Sequence, residues 1–124
     1  MSKTLAYGFV FTCIVFTVLG QLLIKWQAAH AGSFPASWPE RTYFLFNLML
    51  DPWVVAGLLS AVIAACAWIL AMTKLPISVA YPIMSLTYPL ILISGRYLFG
   101  ETITQWRMIG MCLILLGILF VSFE

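Results

Sequence analysis

The stretch TVLGQLLIKW, residues 17–26, ends the apolar run that decides the fold of this chain. A helix needs about 20 predominantly apolar residues to cross the hydrocarbon core of a bilayer, and the run from Leu5 to Ile24 reaches that length. The apolar core of a cleaved signal peptide is shorter, about 7–15 residues. We therefore interpret the run as a retained first membrane span. The same stretch carries Gln21 and Lys25, an amide and an ammonium that an inert span does not need.

The composition of the whole chain extends this interpretation to all 124 residues. Hydrophobic residues make up 64% of the chain and charged residues 8%, and the mean hydropathy is +1.07. A soluble domain of this length could not bury so much apolar surface, so most of it must face lipid. We predict an all-α integral membrane protein: one membrane domain over residues 1–124, with four transmembrane helices at about 5–25, 52–73, 77–99 and 105–123.

The first connection, about residues 26–50, is long, contains prolines and is rich in aromatic side chains. Its most apolar part, residues 41–50, is too short to cross a bilayer, so we expect an interfacial segment with its rings at headgroup depth. Basic residues are slightly more numerous on the side of this loop (Lys25, Arg41, Arg96 and Arg107) than on the other side (Lys3 and Lys74). The small excess favours a cytoplasmic first loop, and both orientations can coexist, as an antiparallel dimer requires.

Polar residues recur on one face of two spans. In the first span they are Cys13, Thr17, Gln21 and Lys25, and in the third they are Ser78, Tyr81, Ser85 and Tyr88. Steps of three and four residues keep each set on a single helix face. Because polar groups that face lipid are costly, the two faces predict a shared polar cleft. The alternatives are hydroxyls that bond to their own helix, tyrosines that anchor at the interface and, for Lys25, snorkelling to the membrane surface.

Two further patterns concern helix shape and helix packing. Pro82 and Pro89 lie inside the third span, where each removes a backbone hydrogen bond and is predicted to kink the helix. Our hypothesis is that this span bends to alternate access to the cleft. Gly110 and Gly117 lie on one face of the last span, where small residues let two helices approach closely. We predict that this helix packs against another subunit in an antiparallel or pseudo-symmetric dimer.

Several classes of function have no support in the sequence. The formal charge of +2 and the absence of a basic run argue against nucleic acid as a partner. The three cysteines lie in predicted spans without CxxC spacing, which is typical of packing residues. His30 is a lone histidine in a loop, and neither a nucleophile–base pair nor a cluster of metal ligands is evident. We therefore expect no enzyme activity, no cofactor and no metal.

Three segments carry a resemblance to a known family. At GQLLIK (20–25), LPISVAYPIMSLTYP (75–89) and FGETITQWRMIGMCLILLGILFV (99–121), the chain resembles the small multidrug resistance-type four-helix proteins of the drug/metabolite transporter superfamily. The resemblance implies that the first three helices line a substrate chamber that includes Tyr81, and that Gly110 and Gly117 lie in a dimer contact. The drug exporters carry a membrane-embedded glutamate where this chain has Thr17, so proton-coupled drug export is not expected.

The likeness is closer to the two small subunits of the bacterial flippase for undecaprenyl-phosphate-linked aminoarabinose. They share the GQ pair at 20–21, the AYP-x-x-SL pattern at 80–86 and the lack of a central carboxylate. One of them is also similar in its longer first loop and in an Asp-Pro or similar start to the second helix. The resemblance implies a flippase subunit that moves a polyprenyl-phosphate-linked sugar across the bacterial inner membrane. It also implies a homo- or heterodimer with a similar small membrane protein.

The candidate substrate-binding residues are Thr17, Gln21, Lys25, Tyr81, Ser85, Tyr88 and Arg96. Lys25 and Arg96, predicted at the same membrane face, are the candidate partners of the phosphate. Gln21, Ser85 and the two tyrosines would hydrogen-bond to sugar hydroxyls, with the tyrosine rings stacking on the sugar. The alternative for Arg96 is a positive anchor at a helix end. Two other functions stay open at this point: a small-solute or cation transporter of the same fold, and a non-transporting partner of a membrane glycosyltransferase.

Overall fold

The computed structural model describes residues 2–123, and within that range helices are the regular secondary structure. Met1 and Glu124, the two ends of the predicted domain, lie outside the described residues. The helices are α1 (Lys3–Ala29), α2 (Trp38–Met49), α3 (Pro52–Met72), α4 (Ile77–Met84), α5 (Thr87–Phe99) and α6 (Gln105–Val121). The predicted all-α class is therefore confirmed for the described part of the chain.

Three helical stretches are long and apolar enough to cross a membrane. They are Lys3–Ala29, Pro52–Met72 and the combined stretch Ile77–Phe99, which contains α4 and α5. Gln105–Val121 is a shorter apolar helix. Several apolar helices in one short chain are what a multi-pass membrane protein requires, because a helix satisfies all of its own backbone hydrogen bonds in lipid.

The helix ends follow from local chemistry. The Ser2 hydroxyl accepts a hydrogen bond from the backbone N–H of Leu5, at 3.2 Å, and so caps α1. The Thr104 hydroxyl caps α6 by accepting from the N–H of Arg107, at 3.2 Å. Such caps satisfy N–H groups that have no partner within the helix. At the other end of α5, Gly100 adopts φ 67°, a left-handed conformation that glycine takes without strain.

The first loop contains a helix of its own. α1 continues to Ala29, about one turn beyond the predicted end of the first span at Lys25, and α2 begins at Trp38. Pro39 lies in the first turn of α2, where its missing N–H has no helical partner to lose. None of the α2 residues is buried, so this helix packs on the outside of the bundle.

The third predicted span is broken into α4 and α5. Residues 85–86 form a turn between the two helices, and the N–H of Tyr88 bonds to the carbonyl of Ser85 at 3.0 Å. Pro89 has no N–H to donate to that same carbonyl, so the regular helical pattern cannot cross this point. Pro82 lies inside α4, which runs through it. The interruption is therefore attributable to Pro89, four residues after Ser85.

The core of the molecule is the antiparallel pair α1 and α3. α3 presents a stripe of small buried side chains to α1, formed by Gly57, Ser60, Ala64, Ala67 and Ala71. A Cβ atom built on Gly20 would lie 2.8 Å from the Gly57 carbonyl oxygen, and one on Gly57 would lie 2.9 Å from the Gly20 carbonyl oxygen. Both distances are too short for a real Cβ contact. The two backbones thus touch at a point that only glycine permits, as is common between membrane helices.

The last helix, α6, packs much less closely against the rest of the chain than α1 and α3 pack against each other. It packs mainly against α4, and none of its residues is buried. A Cβ atom on Gly110 or on Gly117 would meet no atom within 4 Å. These two glycines therefore lie in open space within the single chain, and their predicted place in a dimer contact stays a prediction.

Candidate functional site

A cleft of about 500 Å³ opens between α1, α3 and the junction of α4 and α5. It is lined by Cys13, Thr17, Gly20, Gln21, Ile24, Gly57, Ala61, Ala64, Ala65, Trp68, Tyr81, Met84, Ser85 and Thr87. These residues lie in the stretches that are long and apolar enough to cross a membrane. The cleft is therefore a partly polar chamber between apolar helices.

The α1 wall carries an amide and a hydroxyl one turn apart. Thr17 and Gln21 lie at i and i+4, so both reach the same side of the helix. The Thr17 hydroxyl lies 3.9 Å from the Cys13 sulfur, a weak contact that leaves most of its hydrogen-bonding capacity free. Gln21 is exposed and lies next to Gly20, the glycine in backbone contact with α3. The close approach of the two helices thus fixes the position of the Gln21 backbone along the cleft.

The α3 wall of the cleft consists of small residues and one large aromatic side chain, Trp68. Gly57, Ala61, Ala64 and Ala65 have little or no side chain, so this side of the cleft stays open. One turn further along, Trp68 packs edge-to-face against Tyr81 of α4, with ring centroids 5.8 Å apart. An aromatic pair of this kind is a rigid wall that a sugar ring or an apolar chain can lie against.

The third wall is the interruption between α4 and α5. Ser85 occupies the break itself, and Thr87 follows it with its hydroxyl donating to the Met84 carbonyl at 2.9 Å. Tyr81 lies one turn before the break and is 65% exposed. The break therefore brings hydroxyl groups to the cleft at a point where the backbone is also irregular.

The chemistry of the cleft is polar and uncharged. Among residues 2–123, no acidic or basic side chain lines it. Within the same range, the side chains of Gln21, Tyr81 and Ser85 form no hydrogen bond with protein groups. Their donors and acceptors are therefore available to a ligand. Such a set suits the binding of a hydroxyl-rich group and offers no carboxylate for proton exchange.

Four of the seven predicted binding residues line this cleft, namely Thr17, Gln21, Tyr81 and Ser85. Lys25, Tyr88 and Arg96 do not. Lys25 and Arg96 are both exposed, at the end of the bundle where the rings of Trp26 and Phe99 lie 6.2 Å apart. The structure thus keeps these two cations near one end of the molecule and outside the lining of the cleft.

The position of Tyr88 shows why the predicted face of the third span was incomplete. In an unbroken helix Tyr88 would follow Ser85 on the same face, at i+3. The interruption at residues 85–86 changes the direction of the side chains after it, so Thr87 lines the cleft in place of Tyr88. The proline at position 89 was the available signal, because the effect of a proline falls on the carbonyl four residues earlier.

Trp68 is the largest lining side chain that was not among the predicted binding residues. It follows Ala61, Ala64 and Ala65 at steps of seven, four and three, so it shares a face with these small residues. A large ring on the same helix face as several alanines is a sequence signal for a groove that is closed at one end by the ring. That signal was present, but a tryptophan inside a span is equally compatible with simple packing against lipid.

Among the known proteins that this chain resembles, three relatives illustrate the extent of the match. The probable 4-amino-4-deoxy-L-arabinose-phosphoundecaprenol flippase subunit ArnE of Aeromonas salmonicida (strain A449) is 30% identical over 91% of this chain and 92% of its own length. The corresponding ArnF subunit of Shewanella sediminis (strain HAW-EB3) is 32% identical over 83% of this chain and 77% of its own length. The ArnF subunit of Sodalis glossinidius (strain morsitans) is 29% identical over 94% of this chain and 90% of its own length.

No family model matches the chain, and no solved structure matches it. The relatives nevertheless cover most of both sequences, so the similarity extends over α1, α3, the broken third stretch and α6 together. The resemblance inferred from the GQ and AYP-x-x-SL patterns is confirmed by these matches. The chain belongs to the ArnE/ArnF family of small flippase subunits.

Proposed function

We propose that this protein is a flippase subunit that moves a polyprenyl-phosphate-linked sugar across the bacterial inner membrane, and that it is not an enzyme. The observation that carries this proposal is the uncharged polar cleft between apolar helices, in a chain whose relatives are named as subunits of a flippase for a phosphoundecaprenol-linked sugar. Such a substrate has a polar head and a long apolar tail. A cleft that opens sideways between helices can hold the head while the tail stays in lipid.

The energetic problem of flipping is the transfer of the polar head through a low-dielectric core. A hydroxyl group that loses its water without a replacement hydrogen bond costs about 1–3 kcal/mol on the scale of protein mutations. Gln21, Tyr81 and Ser85 supply replacement donors and acceptors along the cleft. The Trp68–Tyr81 pair supplies an apolar surface for the carbon face of the sugar ring. This match supports a sugar head group as the occupant.

The phosphate needs a different environment, since no cation lines the cleft among residues 2–123. Lys25 and Arg96 are exposed at one end of the bundle, and we propose that they bind the phosphate there. Arginine and lysine both form charge-assisted hydrogen bonds to phosphate oxygens. In this arrangement the sugar lies inside the cleft, and its phosphate lies near the membrane surface.

A single chain leaves α6 without buried residues, and we propose that α6 forms the fourth transmembrane span and meets a second small membrane protein. The open space at Gly110 and Gly117 allows a second helix to approach. The existence of two relatives, ArnE and ArnF, supports a heterodimer of similar subunits. We place α2 at the membrane interface, where its exposed aromatic side chains would lie at headgroup depth.

Native mass spectrometry of the protein released gently from its own membranes tests this function. We expect two small protein chains that hold one polyprenyl phosphate-sugar, whose mass names the head group. A preserved dimer that carries only bulk phospholipid would contradict the proposal and favour a transporter of water-soluble solutes. Binding to a glycosyltransferase, with cleft substitutions that leave the process unchanged, would favour the non-transporting partner.

The substitution Pro89→Ala tests the role of the broken helix. An alanine restores an N–H group for the Ser85 carbonyl, so the helix can become continuous across residues 85–86. We expect thermal stability to rise and flipping in proteoliposomes to slow by about tenfold, which is roughly 1.4 kcal/mol on the barrier. Pro82→Ala serves as the comparison, because α4 already runs through Pro82. Unchanged flipping by Pro89→Ala would show that the break does not contribute to transport.

A further inference from the structure

A second, smaller pocket of about 230 Å³ lies outside the main cleft. It is formed where the end of α1, the second half of α2 and the start of α3 meet. It is lined by Gln27, Ala31, Phe44, Asn47, Leu48 and Asp51. Pockets for drug-sized ligands are usually about 300–1,000 Å³, so this one is sized for a small group rather than for a whole lipid.

The pocket contains a carboxylate whose charge is not balanced by a basic residue. One oxygen of Asp51, Oδ2, accepts a hydrogen bond from Gln27 Nε2 at 2.8 Å, and the other, Oδ1, accepts one from the N–H of Trp53 at 2.9 Å. Both donors are neutral. Asp51 is half-buried and forms no ion pair within residues 2–123. Each oxygen keeps further acceptor capacity.

The basic residue of α2 is engaged elsewhere. Arg41 donates from Nε to the Pro35 carbonyl at 2.9 Å, and its guanidinium lies 5.0 Å from the ring centroids of both Phe34 and Trp38. These contacts engage Arg41 with Phe34, Trp38 and Pro35, and it does not line the pocket. Arg41 therefore does not pair with Asp51, and the Asp51 carboxylate is available to a cation supplied by a ligand.

The rest of the pocket suits a cation that carries hydroxyl groups. The Asn47 amide forms no hydrogen bond within the described residues, so its oxygen and nitrogen can both bind a ligand. The Phe44 ring is held edge-to-face against Phe34, with centroids 5.9 Å apart, and a cation can lie on an aromatic face. Apolar walls formed by Ala31 and Leu48 lower the local dielectric and strengthen the attraction of Asp51 for a cation.

We propose that this pocket binds the protonated primary amine of a lipid head group, with Asp51 as the charged partner and Asn47 and Gln27 as hydrogen-bonding neighbours. The proposal rests on the proposed function, because it assigns the recognition of an amine-bearing head group, before its sugar enters the cleft, to a separate pocket. The cleft itself has no carboxylate to balance an ammonium. Two head groups have this chemistry: an amino sugar on a polyprenyl phosphate, and the ethanolamine of a phospholipid.

The test compares the wild type with Asp51→Asn, which keeps a good helix cap and removes only the charge. The control is Glu40→Gln, which removes an exposed carboxylate of α2 that does not line the pocket. The probes are two short-chain polyprenyl phosphates, one linked to 4-amino-4-deoxy-L-arabinose and one to L-arabinose. Their affinities are measured in nanodiscs of phosphatidylglycerol. We expect wild type and Glu40→Gln to prefer the amino probe about tenfold, as a charge-assisted hydrogen bond supports, and the ratio to fall to about 1 in Asp51→Asn.

The proposal would be overturned if Asp51→Asn preferred the amino probe over the L-arabinose probe by the same ratio as the wild type. This holds even if its affinities for both probes were lower. If neither probe bound the wild type, the proposed function would fail. A second experiment would then test separately whether the pocket binds an amine. In that experiment, nanodiscs contain phosphatidylethanolamine and phosphatidylglycerol, and native mass spectrometry measures the lipids retained. Selective retention of phosphatidylethanolamine by the wild type and not by Asp51→Asn would support an amine site filled by phospholipid. Equal retention by both would overturn it.

Discussion

The variant Gly20→Val should lose most of its thermal stability, because it forces α1 away from α3. A Cβ atom at position 20 would lie 2.8 Å from the Gly57 carbonyl oxygen and 3.4 Å from the Ser60 Cβ. The nearest atom belongs to the backbone, so no change of side-chain rotamer can relieve the clash. Overpacking of a tight interior costs about 1–3 kcal/mol, and the branched valine places two further methyl groups in the same space.

Gly8→Val is the matched control for this result. Gly8 lies in the same helix, and a Cβ atom there would meet nothing within 4 Å. The two substitutions change the intrinsic helix propensity equally, so the difference between them reports the contact with α3. The measurement is the midpoint of thermal unfolding in detergent, together with the yield of folded protein. Equal midpoints for the two variants would mean that the Gly20–Gly57 contact does not hold the helices together.

The second large effect is expected from Ala65→Trp, which should abolish flipping while the protein still folds. Ala65 lines the cleft and is exposed, so a larger side chain can be accommodated there without disturbing the packing of α1 on α3. An indole is rigid and buries on the order of 200 Å² when it is packed. It would occupy the space that we assign to the sugar. We expect the flipping rate to fall to below about a tenth of the wild-type rate, at least 1.4 kcal/mol on the barrier.

Val62→Trp supplies the control for this prediction. Val62 lies on the same helix, is 59% exposed and does not line the cleft. The indole added there should lie outside the cleft and leave flipping close to the wild-type rate. Both variants are compared in proteoliposomes at equal amounts of folded protein. If Ala65→Trp flipped lipid-linked sugar as fast as Val62→Trp, the cleft would not be the path of the head group.

Part of the candidate site could be predicted from the sequence because α1 is a regular helix. Thr17 and Gln21 follow at four residues, and a regular helix places them on one face whatever surrounds it. Tyr81 lies in α4, and Ser85 follows it by four residues at the first residue of the break, so the same rule still places these two together. Tyr88 follows the break, and there the periodicity no longer applies. Of the two predicted polar faces, Cys13, Thr17, Gln21, Tyr81 and Ser85 line the cleft, whereas Lys25, Ser78 and Tyr88 do not. Their role in binding stays a prediction.

The second pocket could not be predicted from the sequence. Gln27 and Asp51 are separated by 24 residues and belong to different elements, and the Asp-Pro pair at 51–52 signals only the start of a helix. Their hydrogen bond depends on how far α1 extends past the predicted end of its span. It also depends on how the loop returns through α2. Neither follows from a local pattern.

By itself, the sequence determined the all-helical class and the apolar stretches, because composition and helical period are local properties of the chain. Only the tertiary structure decided that Gly20 meets Gly57, that Thr87 replaces Tyr88 in the cleft, and that Asp51 lies beside Gln27. The physical reason is that each of these contacts joins elements whose relative position is set by packing. A repeat of three and four residues states which side of a helix is polar, but it does not state what that side faces.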